Sequence, residues 1–135
     1  MGKDEEDGRR DMETYDPLTA PDPDLWLELD EQERLALVEE HHDSAGVELD
    51  KPTLHAVMHT VVENQLALRD ERVMRTLERL MAEGLDRHDA LHAVGSVLAE
   101  HLFGILSEGT KESASTDKYY RALEELTVAS WRSNR

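Results

Sequence analysis

The sequence contains no cysteine. That absence excludes disulfides, thiolate metal sites and a cysteine nucleophile, and it permits an intracellular compartment. Basic residues are also scarce: 15 Lys and Arg stand against 31 Asp and Glu, a formal charge of −16 over 135 residues. Such a chain repels the phosphate backbone on which most nucleic-acid affinity depends, so DNA, RNA and anionic membrane surfaces are not expected partners. The excess acid could imitate nucleic acid against a basic protein, but much of it falls on polar helix faces, where it maintains solubility. No window approaches the roughly 18 apolar residues of a membrane span. The opening MGKDEEDGRR offers no apolar stretch for a signal peptide, and the expected location is the cytoplasm. A Gly-rich phosphate cradle, a serine nucleophile elbow and the alternating pattern of a β-strand are all missing.

What is present is helical periodicity in a chain the length of one domain. Residues 1–23 combine acidic runs with Gly2, Gly8, Pro17, Pro21 and Pro23, and are expected to form a disordered acidic tail. Residues 24–135 read as a single helical domain. Its first part, 24–46, opens with a turn at Leu25, Trp26 and Leu29 and then a helix entered through the capping-box pair Asp30 and Glu33. His41 and His42 at the end of that helix read as C-terminal capping residues. Asp50 and Pro52 open a helix to about Leu68; Asp70 caps another that ends at Gly84; Asp86 opens one reaching about Leu106. Thr116 or Asp117 is expected to cap a last helix carrying Tyr119, Tyr120, Leu123, Leu126 and Trp131, with Trp26 and Trp131 as core or dimer anchors.

Two segments echo one another. Leu54-His55-Ala56-Val57 matches Leu91-His92-Ala93-Val94, and nine residues into each helix Glu63 matches Glu100. The following helices share Arg, Leu, Glu and Leu in register between residues 73–80 and 119–126. The expected fold is therefore all-α: a four-helix bundle from a duplicated helical hairpin, 50–84 and 86–132, with an additional N-terminal helix.

Histidine is the one chemically suggestive residue type. Residues four apart share a helix face, so His55, His59 and Glu63 form one stripe, and His88 and His92 form another. Zinc, iron and manganese accept imidazole and carboxylate donors from facing helices, which makes His55, His59, Glu63, His88 and His92 candidate metal ligands. No other cofactor is expected. Both the Glu-x-x-His pairs of di-iron bundles and the His-Glu-x-x-His motif of zinc proteases are absent from these two helices. The alternative is a structural polar network of His55, Glu63, Gln65, His92 and Glu100, in which antiparallel helices set His55 against Glu100 and His92 against Glu63. Gln65 would join it or bond to backbone, while His101 falls on the opposite side from His92 and is expected to be exposed.

The stretch His55-x-x-x-His59-x-x-Val62-Glu63-Asn64-Gln65, followed by Leu80-Met81-x-Glu83-Gly84-Leu85-Asp86-Arg87-His88-Asp89-Ala90-Leu91-His92, resembles a family of small uncharacterised bacterial helical proteins, a domain of unknown function. The resemblance spans about residues 50–106. It implies a small helical bacterial protein and supplies no activity or cofactor. On the sequence, the favoured reading is a non-enzymatic interaction or regulatory module that meets a protein partner or its own copy. A metal-binding bundle, acting as a sensor or small metalloenzyme, is the alternative, and a histidine-based pH response is a third reading.

Overall fold

A computed structural model describes residue 12 and residues 14–44, 52–109 and 115–133, and all secondary structure among them is helical. Seven helices follow in order: α1 (Pro23–Glu28), α2 (Glu31–Ser44), α3 (Pro52–Ala67), α4 (Glu71–Ala82), α5 (Arg87–Glu108), α6 (Thr116–Glu125) and α7 (Val128–Ser133). The expected cap at Asp50 lies outside the described residues.

Local side-chain chemistry sets most of the boundaries. The Asp22 carboxylate accepts the amides of Asp24 and Leu25 to start α1, with Pro23 at its first position. Asp30 and Glu33 then bond each other's backbone amides, at 2.9 and 2.8 Å, and start α2. At the end of α3, Arg69 takes a left-handed φ of 64° and the Asp70 amide bonds back to the Gln65 carbonyl. Asp70 at once caps α4 through the amides of Arg72 and Val73. Asp86 caps α5 by accepting the Asp89 amide. Ser115, one residue before the expected position, caps α6.

The last expected helix is divided in two. Arg79 on α4 donates to the carbonyls of Leu123 and Leu126 at 3.0 and 2.6 Å, which holds the end of α6, and Glu83 accepts the Val128 amide at 3.0 Å, which holds the start of α7. That backbone bond keeps the Glu83 carboxyl below its ordinary pKa, and Arg79 reinforces the effect.

Two apolar clusters result. The larger is built from α3 to α7 and includes Val62, Val73, Leu80, Val94, Leu123 and Trp131. The smaller joins Tyr15, Trp26, Val38, Ala56 and Ala67, and so fastens the N-terminal segment, α1 and α2 to α3. Tyr15 and Pro17 were expected in a disordered tail, yet both are buried; residues 1–11 and 13 lie outside the described set. Packing in Tyr15 beside Trp26, with ring centroids 5.9 Å apart, supplies the apolar burial that the composition of the tail conceals. The 22-residue α5 is, by length and composition, apolar enough to cross a membrane, contrary to the sequence reading. Its Ala90, Leu91, Ala93, Val94, Val97 and Leu98 are buried in the core, which accounts for that composition.

Helix α3 packs against α1, α2, α4 and α5, while α5 packs against α3, α4 and α6. The α3–α5 crossing is antiparallel: Met58 lies against Gly95, His59 against His92, and Glu63 against Arg87. A Cβ at Gly95 would meet the Met58 Cβ at an ordinary 3.8 Å, so close approach there does not require glycine.

Candidate metal centre

Helical spacing puts His55, His59 and Glu63 on the face of α3 that meets α5, and the first two turns of α5 return Arg87, His88 and His92 toward it. The last turn of α2 adds the His41 ring, 6.1 Å from that of His88, and the N-terminal segment adds Tyr15. Five imidazoles thus gather beside one buried ion pair.

Three of them converge. One ring nitrogen each from His55, His59 and His92 lie within 4.8 Å of one another, and the Nε2 atoms of His59 and His92 are 3.0 Å apart. Two imidazole donors on one ion, each at about 2.0–2.1 Å, stand roughly 3.0–3.4 Å apart, so the His59–His92 spacing already suits a shared metal and His55 needs only a modest inward movement. Burial lowers the pKa of His55, with a further contribution from His88. Burial also lowers that of His88, where His41 adds to the effect and Asp16, Asp86 and Asp89 oppose it. The lowered values favour neutral rings, the form that ligates metal.

The protonation pattern follows from counting donors. Tyr15 Oη lies 2.5 Å from Glu63 Oε2 and 3.3 Å from His59 Nδ1. Its single proton goes to the carboxylate, so His59 Nδ1–H must be the donor in the longer contact. His59 Nε2 is then left with its lone pair directed at His92. In the metal-free protein His92 Nε2–H donates to that lone pair; an ion would take it instead. Glu63 in turn is held by Arg87, whose two terminal nitrogens reach its oxygens at 2.9 and 2.8 Å in a fork that also grips the Pro17 carbonyl at 2.9 Å. Burial alone would lower the Arg87 pKa, but the hydrogen bonds and charge of Glu63 raise it instead, and burial with the neighbouring Glu63 charge pushes the Tyr15 phenol far up. The chain from His59 through Tyr15 to Glu63 and Arg87 is an orienting layer for an imidazole, of the kind that supports metal ligands.

Several sequence expectations are corrected by this geometry. Glu63 is 2% exposed, and both its oxygens are engaged by Arg87 and Tyr15, so it is an anchor behind the histidines where a ligand had been expected. The predicted cross-pairing of His92 with Glu63 is displaced by one helical turn, because His92 faces His59. Glu100, expected opposite His55, is exposed and lines a surface cleft with His101, Lys118 and Tyr119. Gln65 joins neither the histidines nor the backbone but accepts the Tyr119 hydroxyl at 2.9 Å. His101, expected exposed, is half-buried with its ring 5.6 Å from Tyr119. His41 places its ring 6.0 Å from Tyr15 in an edge-on contact, a role beyond helix capping. The His42 side chain lies outside the described residues.

The sequence reading missed Arg87 and Tyr15. Arg87 had a signal: it falls three, four and seven residues before Ala90, Leu91 and Val94, on the buried stripe of α5, where only a cation with a buried acid as partner can stand. Tyr15 had none beyond being an aromatic ring in a polar stretch. Comparisons with known family models, with curated proteins and with solved structures find no match to this chain.

Proposed function

We infer that the protein binds a divalent transition-metal ion through His55, His59 and His92. The observation that carries this reading is the convergence of three imidazole nitrogens from two helices within 4.8 Å. The His59 tautomer supports it, since a Tyr15 hydroxyl that gives its proton to Glu63 accepts Nδ1–H from His59, which turns the Nε2 lone pair toward His92. The ligands are all imidazole, a set that suits zinc, iron, nickel or copper better than manganese, which favours carboxylate and water donors. All three lie in the 50–106 stretch that resembles the uncharacterised helical family, and the matched segments around His55 and His92 fit an origin of the two site helices in a duplicated hairpin packed as a four-helix bundle.

Elemental analysis and zinc calorimetry on untagged protein test the reading. The expected result is one ion per chain and a melting temperature that rises with added zinc. Less than about 0.2 metal per chain, with no stabilisation by zinc, iron or manganese, sinks it, because a ligand that binds only the native state must stabilise that state.

A second reading rests on the far end of α5. Leu102, Phe103 and Leu106 share one helix face and are exposed, Phe103 by 56% and Leu106 by 80%. Such a strip suits contact with a protein partner or a second copy. If it is an interface between copies, Phe103→Glu converts a concentration-dependent dimer to a monomer in light scattering; a wild-type chain that stays monomeric at high concentration removes the self-association form of the idea.

A further inference from the structure

Imidazoles are neutral ligands, so a divalent ion held by three of them keeps its full positive charge. Among the described residues, no aspartate or glutamate joins the converging group. Glu63 cannot offset the charge either, because the Arg87 guanidinium already balances it through a paired contact. Zinc takes four ligands and the other candidate ions up to six, so at least one coordination position is left unfilled by these three histidines. His55 and His92 are half-buried, while His59 is buried.

His88 supplies an independent observation. Its ring centroid is 4.3 Å from that of His92 and 5.2 Å from that of His59, yet it stands outside the converging trio. Its Nε2 is buried and has no hydrogen-bond partner among the described residues. Buried polar atoms are nearly always paired, so this one points to a group that the described residues do not provide.

Building on the metal reading above, we propose that the open position takes a small monoanion, such as a carboxylate or azide, bound to the metal through one donor atom and hydrogen-bonded by His88. The metal supplies the attraction and the His88 N–H supplies orientation. The Asp16, Asp86 and Asp89 carboxylates, which act on His88 electrostatically, and the net charge of −16 disfavour larger polyanions. The expected order of affinity is therefore acetate and azide before phosphate.

The test uses the full chain loaded with cobalt(II), whose visible spectrum reports coordination. Azide, acetate and phosphate are titrated in turn into wild type, His88→Leu and His88→Gln. The expected result is a spectral change with azide and acetate at lower concentration than with phosphate. Loss of a hydrogen bond to a bound anion should weaken azide about tenfold in His88→Leu, with cobalt affinity falling by less than about threefold and His88→Gln recovering part of the loss. A cobalt spectrum that no anion alters overturns the proposal and leaves the metal reading intact. Cobalt affinity lost about as severely as anion affinity in both variants makes His88 a ligand and overturns it as well. If no cobalt spectrum develops, the metal reading fails and takes this proposal with it.

Discussion

Two tyrosines in this molecule donate short hydrogen bonds to carboxylates, and the two pairs behave differently. Tyr15 reaches Glu63 at 2.5 Å, while Tyr120 reaches Asp70 at 2.6 Å. Asp70 is half-buried in the turn between α3 and α4, caps α4 with the same carboxylate, and has the Arg72 guanidinium 4.9 Å above its tyrosine's ring. Most of what it does is local. Glu63 sits in the middle of a helix, sealed from water, with a guanidinium from α5 and a phenol from the N-terminal segment as its partners. Nothing local explains a carboxylate there. The same bond is thus a capping accessory just past the C-terminal end of α3, and about two turns earlier in that helix a means of joining three segments and orienting a histidine.

Breaking the ion pair should give the largest effect. Arg87→Leu or Glu63→Leu leaves one buried charge without its partner and should cost about 3–5 kcal/mol in urea unfolding, whereas the double variant recovers much of the loss. A double variant destabilised by the sum of the two singles would mean that the pair contributes no coupling. Next in size, Tyr15→Phe releases the His59 tautomer and should reduce zinc affinity about 10–100-fold by calorimetry, while Tyr120→Phe leaves zinc affinity unaltered. If both tyrosine variants bind zinc like wild type, the orienting role of Tyr15 is wrong.

At the other junction, Asp70→Ala removes a helix cap and should destabilise the protein by about 1 kcal/mol, with Asp70→Asn restoring most of it, since asparagine caps nearly as well. The smallest expected effect is on pH dependence in metal-free protein. Burial lowers the folded-state pKa of His55 and His88, so the unfolded chain binds more protons over the range between the folded and unfolded values. Stability is then complete above the unfolded value near about 6.5 and declines as pH falls below it. Melting temperature measured from pH 8 to 5 should fall, and His88→Gln should flatten part of that slope.

Much of the helical plan was legible because its determinants are close together in sequence. The Asp30–Glu33 box, the Asp70 and Asp86 caps and the termini at Gly84 and Leu68 depend on contacts spanning a few residues. The division of the last helix was not, since Arg79 and Glu83 act on it from more than forty residues away. The histidines were legible as stripes, His55 with His59 and His88 with His92, because four-residue spacing fixes a shared face. Which stripe atoms meet depends on how far α3 slides along α5, and one helical turn separates the expected His92–Glu63 pair from the observed His92–His59 contact. Hydrophobic packing sets that slide, and a row of Leu, Val and Ala accommodates neighbouring registers with little local preference.

By itself, then, the sequence determined an acidic, cysteine-free, all-helical chain, with its caps and the faces on which its histidines lie. Those properties follow from composition and from interactions within a turn or two of helix. Tertiary structure decided that Glu63 answers to Arg87, 24 residues on, and to Tyr15, 48 residues back, and that three imidazoles from two helices bring a ring nitrogen each within 4.8 Å of one another. A buried carboxylate must find compensation somewhere, but its identity emerges only when packing brings distant segments together, since desolvation and charge pairing depend on separation in space and not along the chain.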